Sequence, residues 1–146
     1  MIYNYRFLII PVFAWLTVQL FKLFSDAIKN RRINFRRFVE TGGMPSSHSA
    51  VVTSLMTLVG FTEGFDSTIF AISFVFSIIV MYDAAGVRRA AGKQASILNQ
   101  LINSKQVKVD TNEKLKELLG HTPFQVIIGA IYGIVVGVLA MSFWRG

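Results

Sequence analysis

Four apolar segments restrict the fold of this chain more than any other feature of its sequence. They cover residues 7–24, 44–61, 67–82 and 124–144, and charged residues barely interrupt them. About 20 apolar residues cross a bilayer as an α-helix. The two middle segments are short for complete spans, so they must tilt little or thin the bilayer locally. We therefore predict an all-α integral membrane bundle of about four transmembrane helices with cytoplasmic amphipathic helices, in which residues 1–146 form a single domain.

The composition supports a membrane protein and argues against several other classes. Of the 146 residues, 53% are hydrophobic and only 16% are charged. The chain contains no cysteine and two histidines, so we expect no disulfide framework, no metal and no cofactor. Its net charge of +7 is explained by basic loops that stay in the cytoplasm, so we expect no nucleic-acid partner.

Basic residues are distributed unevenly between the connections. Residues 25–41 carry five lysines or arginines and residues 83–122 carry seven, whereas residues 62–67 carry two acids and no base. The positive-inside rule then places both basic stretches in the cytoplasm and both termini outside a bacterial-type cell membrane. Within the second stretch, residues 84–103 and 112–120 are predicted to form helices. Polar residues far apart in the sequence therefore share the cytoplasmic face.

The motif "GGMPSSHSA", residues 42–50, marks the predicted start of the second helix. Pro45 suits a first helical turn, and serines such as Ser46 and Ser47 can satisfy its free amides. A helix start also binds anions, and Gly43 permits close approach of a ligand to the backbone. A capped helix start explains much of this pattern, but His48 could also protonate a leaving oxygen near neutral pH.

Other chemically capable residues are expected on the same face. Lys22 ends the first apolar segment, although a lysine there often only extends its ammonium group to the interface. Asp83 ends the third, where an acid either pairs with a neighbouring arginine or has a function. Arg88 and Arg89 suit phosphate oxygens, anionic lipid head groups or a topological role. His121 is the second histidine, and phosphoryl transfer can use two: one as nucleophile and one as general acid.

Three motifs together resemble one protein family. "TGGMPSSHSA", "MYDAAGVRRAAGKQA" and "LLGHTP" occur in this order across nearly the whole chain. They resemble the divergent branch of the type 2 phosphatidic acid phosphatase superfamily, described as acid phosphatase/vanadium-dependent haloperoxidase-related. The resemblance implies a metal-independent lipid phosphate phosphatase.

Two family motifs can be carried over residue by residue. In the wider superfamily a Pro-Ser-Gly-His motif binds phosphate and supplies the acid histidine, and residues 45–48 match it with serine in place of glycine. Another motif has a lysine, six residues and then Arg-Pro. Lys29 and Arg36 have that spacing, but Arg37 replaces the proline. Lys22 competes with Lys29 for the same role.

The family's nucleophile motif is not present in its usual form. That motif is Ser-Arg, five residues, a histidine, three residues and an aspartate, but the same spacing from either arginine of the pair reaches Gln94 or Ala95. His121 is the available replacement. Gln125 stands where its orienting acid would be, and the capping-box spacing from Thr122 already explains that glutamine. Asp83 is therefore predicted to orient His121.

The predicted substrate is a phospholipid or prenyl phosphate, with phosphatidylglycerophosphate first and phosphatidic acid second. The predicted catalytic residues are His48, His121 and Asp83. Phosphate is predicted to contact Lys22, Ser46, Ser47, Arg88 and Arg89, with Lys29, Arg36 and Gly43 as further candidates. A non-catalytic anionic-lipid binding or transport protein and a vanadate-dependent oxidase are the alternatives, and a homodimer could complete the site.

Overall fold

The computed structural model describes residues 5–31, 43–103 and 120–144. These residues form five α-helices and no strand, which confirms the predicted all-α membrane bundle. The helices are α1 (Arg6–Asn30), α2 (Ser47–Glu63), α3 (Thr68–Ala85), α4 (Val87–Asn103) and α5 (Pro123–Trp144). The helix predicted at residues 112–120 lies almost entirely outside the described residues, which include only its terminal Gly120.

Three stretches of the described chain are long and apolar enough to cross a membrane. They are α1, α5 and the continuous stretch that begins with α3. The fourth predicted span, residues 44–61, corresponds to α2, which has 17 residues and starts at Ser47. It starts late because residues 43–45 form bends before the Ser46 cap.

Helix α2 is the centre of the bundle. Ten of its 17 residues are buried, whereas α3 buries only Ser77 and Ala84 among its 18. Helix α2 packs against α1, α3 and α5. A short helix in this position keeps its polar side chains away from lipid, while the longer helices around it present apolar side chains outward.

A row of glycines on α5 lets this helix approach α2 closely. A Cβ atom added to Gly133 would overlap the Thr53 hydroxyl and the Ala50 carbonyl oxygen and would lie 2.9 Å from the Ala50 Cα. The Thr53 hydroxyl donates a hydrogen bond across the interface to the Ala130 carbonyl at 3.0 Å. Small residues and interhelical hydrogen bonds hold membrane helices together in this way. The row consists of Gly129, Gly133 and Gly137.

Hydrogen bonds also connect α2 and α5 to the other helices. The Ser77 hydroxyl of α3 donates to the Val52 carbonyl of α2 at 3.1 Å. The Tyr132 hydroxyl of α5 donates to the Thr17 hydroxyl of α1 at 2.7 Å. Each bond gives a partner to a polar group that would otherwise face an apolar environment.

Helix α4 follows α3 almost without interruption. Gly86 ends α3, and its amide donates to the Tyr82 carbonyl at 2.8 Å. The helix predicted at residues 84–103 is confirmed, although Ala84 and Ala85 belong to α3. The first residues of the long basic stretch are therefore held rigidly at the end of a membrane-spanning helix.

Candidate active site

The start of α2 is a capped helix, as the motif predicts. Ser46 is fully buried and extended, and its hydroxyl accepts the amide of Ser49 at 3.3 Å. The Ser46 amide donates to the Gln125 carbonyl at 3.1 Å, which ties α2 to the start of α5. Because two amides of this region already have partners within the fold, the helix start offers an anion fewer donors than an uncapped one.

Gly43 and Gly120 allow the chain to turn immediately beside the site. Both have positive φ angles, of 91° and 84° respectively, which glycine adopts without a steric penalty. Gly120 precedes His121, and the His121 amide donates to the Ala84 carbonyl at 2.9 Å. The end of α3 and the start of α5 therefore meet at His121.

His121 is buried and held in a defined orientation. Its side chain is only 1% exposed, and its Nδ1 lies 3.3 Å from the Gln125 Oε1. The same Oε1 accepts the Thr122 amide at 3.1 Å. A backbone amide can only donate, so the atom that it contacts must be the acceptor oxygen of the glutamine. This contact favours the neutral tautomer of His121 that has its proton on Nδ1 and its lone pair on Nε2.

Nε2 of His121 is also buried, and it makes no hydrogen bond of normal geometry with the residues that the structure describes. The His48 ring faces the His121 ring edge to face, with the ring centroids 5.7 Å apart and an interplanar angle of 68°. The structure thus brings the two histidines, 73 residues apart in sequence, into one site. An unprotonated nitrogen next to a second imidazole is suited to nucleophilic and acid–base chemistry.

Lys22 brings a positive charge to the two histidines. It is 8% exposed, and its Nζ is buried without a hydrogen-bond partner in the described part of the chain. Its Cδ lies 4.0 Å from the position that a Cβ atom on Gly43 would occupy. A buried ammonium group without a partner is costly, so this charge indicates a place for an anion.

The surroundings of His121 keep its imidazole neutral. Burial lowers the pKa of His121 from its usual 6.5 to about 4, and the charges of Lys22 and His48 act in the same direction. The interactions with Gln125 and with the backbone of Gly43 partly oppose this effect. At neutral pH the imidazole is therefore uncharged.

Asp83 and Ser47 are sequence neighbours of residues at the site: Asp83 precedes Ala84, and Ser47 precedes His48. Asp83 is half-buried in the last turn of α3, directly before Ala84, whose carbonyl binds the His121 amide. The partner that the structure gives to Nδ1 of His121 is Gln125 rather than Asp83. Ser47 is 4% exposed and is the first residue of α2.

The remaining predicted phosphate ligands that the structure describes are exposed. Arg89 is exposed in the first turn of α4, and the side chain of its neighbour Arg88 is outside what the structure describes. Lys29 is exposed in the last turn of α1, and Arg36 lies outside the described residues. Of the two competing lysines, the structure places Lys22 beside the histidines.

Sequence reasoning assigned Gln125 to the helix cap alone. In the structure the Oε1 of Gln125 accepts the Thr122 amide at the helix cap and also contacts the His121 ring, so Gln125 caps the helix and orients the histidine. Its spacing of four residues from His121 was the available signal. Ser49 belongs to the same "GGMPSSHSA" motif, and its hydroxyl is buried with no hydrogen-bond partner among the described residues.

Fold and site together define a helical membrane protein with two neighbouring imidazoles and a buried lysine whose ammonium group has no hydrogen-bond partner among the described residues. The chain belongs to the Divergent PAP2 family, whose family model matches residues 3–136, and the predicted family is thereby confirmed. It is similar to the "Uncharacterized membrane protein YuiD" of Bacillus subtilis (strain 168), with 39% identity over 143 residues and 90% of each chain covered. No solved structure matches the chain.

Proposed function

We propose that this protein is a lipid phosphate phosphatase that acts at the cytoplasmic face through a phosphohistidine intermediate. The observation that carries the proposal is the buried Nε2 of His121 beside His48 and the buried Nζ of Lys22, where neither Nε2 nor Nζ has a hydrogen-bond partner among the described residues. A neutral imidazole is a competent nucleophile, and an adjacent fixed cation stabilises the negative charge of a phosphoryl group. Membership of the Divergent PAP2 family supports phosphate chemistry.

The first step transfers the phosphoryl group to the enzyme. Nε2 of His121 attacks phosphorus, and the bond between phosphorus and the ester oxygen breaks. His48 donates its proton to that oxygen, so the lipid leaves as an alcohol. Gln125 keeps the proton on Nδ1, which leaves the lone pair at Nε2 throughout the attack.

The second step releases phosphate. His48, now deprotonated, takes a proton from water, and the resulting hydroxide attacks phosphorus. The bond between nitrogen and phosphorus breaks, inorganic phosphate leaves, and both histidines return to their starting protonation states. Lys22 holds the phosphoryl oxygens in both steps. Ser47, the first residue of α2, is assigned to the same oxygens.

Asp83 is not required by this scheme, because Gln125 already contacts Nδ1 of His121. Arg88 and Arg89 begin α4 at the end of α3, and we assign them to the outer phosphoryl oxygens or the head group. Phosphatidylglycerophosphate is the first substrate to test, and phosphatidic acid is the second.

The test uses the purified full-length protein in detergent micelles with EDTA present. Wild type is expected to release phosphate from both lipids, and His121→Ala is expected to abolish release. Labelling with a ³²P-labelled lipid should give a protein adduct that is stable in alkali and labile in acid, and the His121→Ala variant should not form it. Full activity of His121→Ala would refute the mechanism.

The role of His48 is tested by the choice of leaving group. The leaving group of phosphatidic acid is the alkoxide of diacylglycerol, which needs a proton. The leaving group of p-nitrophenyl phosphate is p-nitrophenolate, which is stable without one. His48→Ala should therefore lose most of its activity on phosphatidic acid and much less on the aryl ester, with a loss of about 10²- to 10⁴-fold on the lipid. Equal losses on both substrates would contradict its role as the acid.

The alternative of a non-catalytic lipid-binding protein gives a different result in the same experiment. Wild type would retain phosphatidic acid on the purified protein without releasing phosphate, and no acid-labile adduct would form. The exposed Arg89 of α4 would then serve as a head-group contact alone.

A further inference from the structure

An apolar groove runs between α1 and α5 beside the candidate active site. It has a volume of about 380 Å³, near the lower end of the roughly 300–1,000 Å³ that is typical of small-molecule sites. Helix α1, the loop before α2 and helix α5 each contribute to its walls. The main lining residues are Val18, Phe21, Met44, Pro45, Ile128 and Tyr132.

The walls of this groove are predominantly apolar. The two hydroxyl groups that line it belong to Thr17 and Tyr132, and they are hydrogen-bonded to each other at 2.7 Å. The Thr17 hydroxyl also donates to the Phe13 carbonyl at 2.9 Å. No charged side chain lines the groove among the described residues. This lining favours an apolar occupant.

The groove adjoins the candidate site formed by Lys22, His48 and His121, since Lys22 lies beside Gly43 at the end of the loop that lines the groove. On α1, the wall residue Phe21 directly precedes Lys22. On the loop, Pro45 directly precedes Ser46, and Met44 follows Gly43. Both walls thus reach the proposed phosphate site within one residue. A ligand with a phosphate at one end and a hydrocarbon chain next to it matches this arrangement.

Two residues that line the groove are also exposed on the surface of the bundle. Phe21 is 57% exposed and Met44 is 49% exposed. A hydrocarbon chain can therefore enter from the bilayer without first leaving it for water. This entry avoids the cost of exposing apolar surface.

We propose that this groove binds one acyl chain of the lipid whose phosphate is hydrolysed, and that it selects long-chain lipid phosphates over water-soluble phosphomonoesters. This inference rests on the proposed phosphatase function, so the experiment separates the two. The occupant is a chain of the substrate lipid, since the groove adjoins the site where its phosphate is held.

The test narrows the groove with Ile128→Trp, and Ile127→Trp is the matched control. Ile128 lines the groove, whereas its neighbour Ile127 is 55% exposed and does not line it. Ile128→Trp should lower kcat/KM on dioleoyl phosphatidic acid by about tenfold or more and change kcat/KM on glycerol 3-phosphate by less than about twofold. Ile127→Trp should change neither. Met44→Trp is the second groove variant if Ile128→Trp does not fold.

Two results would overturn the inference. One is equal kcat/KM on the long-chain lipid for the groove variants and the control. The other is an equal fall on both substrates for the groove variants, which would indicate damage to the phosphate site and not to a chain site.

A labelling experiment decides the inference even if wild type hydrolyses nothing and the proposed function fails. Phosphatidic acid with a diazirine in the middle of one acyl chain is photolysed in the presence of wild type. Adducts on Phe21, Met44 or Tyr132 that are lost in Ile128→Trp and kept in Ile127→Trp would support chain binding in this groove. Adducts that are absent there, or distributed alike in both variants, would overturn it.

Discussion

Replacing Lys22 with methionine separates the contribution of one buried charge to activity from its contribution to stability. The Nζ of Lys22 is buried with no hydrogen-bond partner among the described residues, and the side chain is 8% exposed. Methionine keeps an unbranched apolar chain of similar length and removes the charge. The matched control is Lys29→Met, on the same helix, where the lysine is exposed.

The expected effects on activity and stability have opposite signs. A preorganised donor to the developing charge of a transition state contributes about 2.7–4 kcal/mol, so Lys22→Met should lower kcat/KM by roughly 10²- to 10³-fold. The same substitution removes a buried charge that has no hydrogen-bond partner in the described part of the chain, and such a charge is unfavourable for folding. The midpoint of thermal unfolding should therefore rise. Lys29→Met should change neither quantity by much, since its charge is already in water.

The assay is phosphate release from phosphatidic acid in mixed micelles over a range of lipid concentrations, with thermal unfolding followed on the same samples. Lys22→Arg provides a further comparison, because it keeps the charge and changes the shape of the donor. The reasoning is refuted if Lys22→Met keeps full activity, or if Lys29→Met loses as much activity as Lys22→Met does.

Three further predictions follow from the site and the helix interface. Because protonated His121 cannot attack, kcat/KM should fall as the pH drops through the His121 pKa of about 4. Lys22→Met should move this acidic limb of the pH profile to higher pH, because the Lys22 charge lowers the pKa of His121. An identical pH profile in both proteins would contradict the assignment. Gln125→Leu should lower kcat by about 10- to 100-fold because the proton on Nδ1 loses its acceptor, and Gln125→Glu should restore much of the rate; single-turnover kinetics measure both. Gly133→Val should destabilise the bundle because its side chain would overlap α2, whereas Ile134→Val, at a position that is 40% exposed, should unfold at nearly the wild-type temperature.

The helical class and the membrane character of this protein could be predicted from sequence because they depend on local properties. Long apolar segments dictate helices in a bilayer, whatever their neighbours are. The capped start of α2 is equally local, since Ser46 and the amide of Ser49 are three residues apart. The shortness of the second apolar segment, which forms α2, was also visible in the sequence.

The packing of α2 against α5 was not predicted, although the glycines responsible are plain in the sequence. Gly129 and Gly133 contact Ser46 and Ala50, and neither residue reveals its partner helix by itself. Small residues at four-residue spacing permit close approach without specifying which helix approaches. That choice depends on the complementary surface of Ser46, Ala50 and Thr53.

The reactive groups, and the end of the bundle at which they gather, could be predicted from the sequence because residue chemistry and loop charge are local properties. Which of these groups meet depends on how the helices pack. His48 lies against His121, Lys22 and not Lys29 is buried beside them, and Gln125 contacts Nδ1 of His121. The physical reason is that burial, tautomer and unpaired charge depend on neighbours from four different helices, and no spacing along one chain segment specifies them.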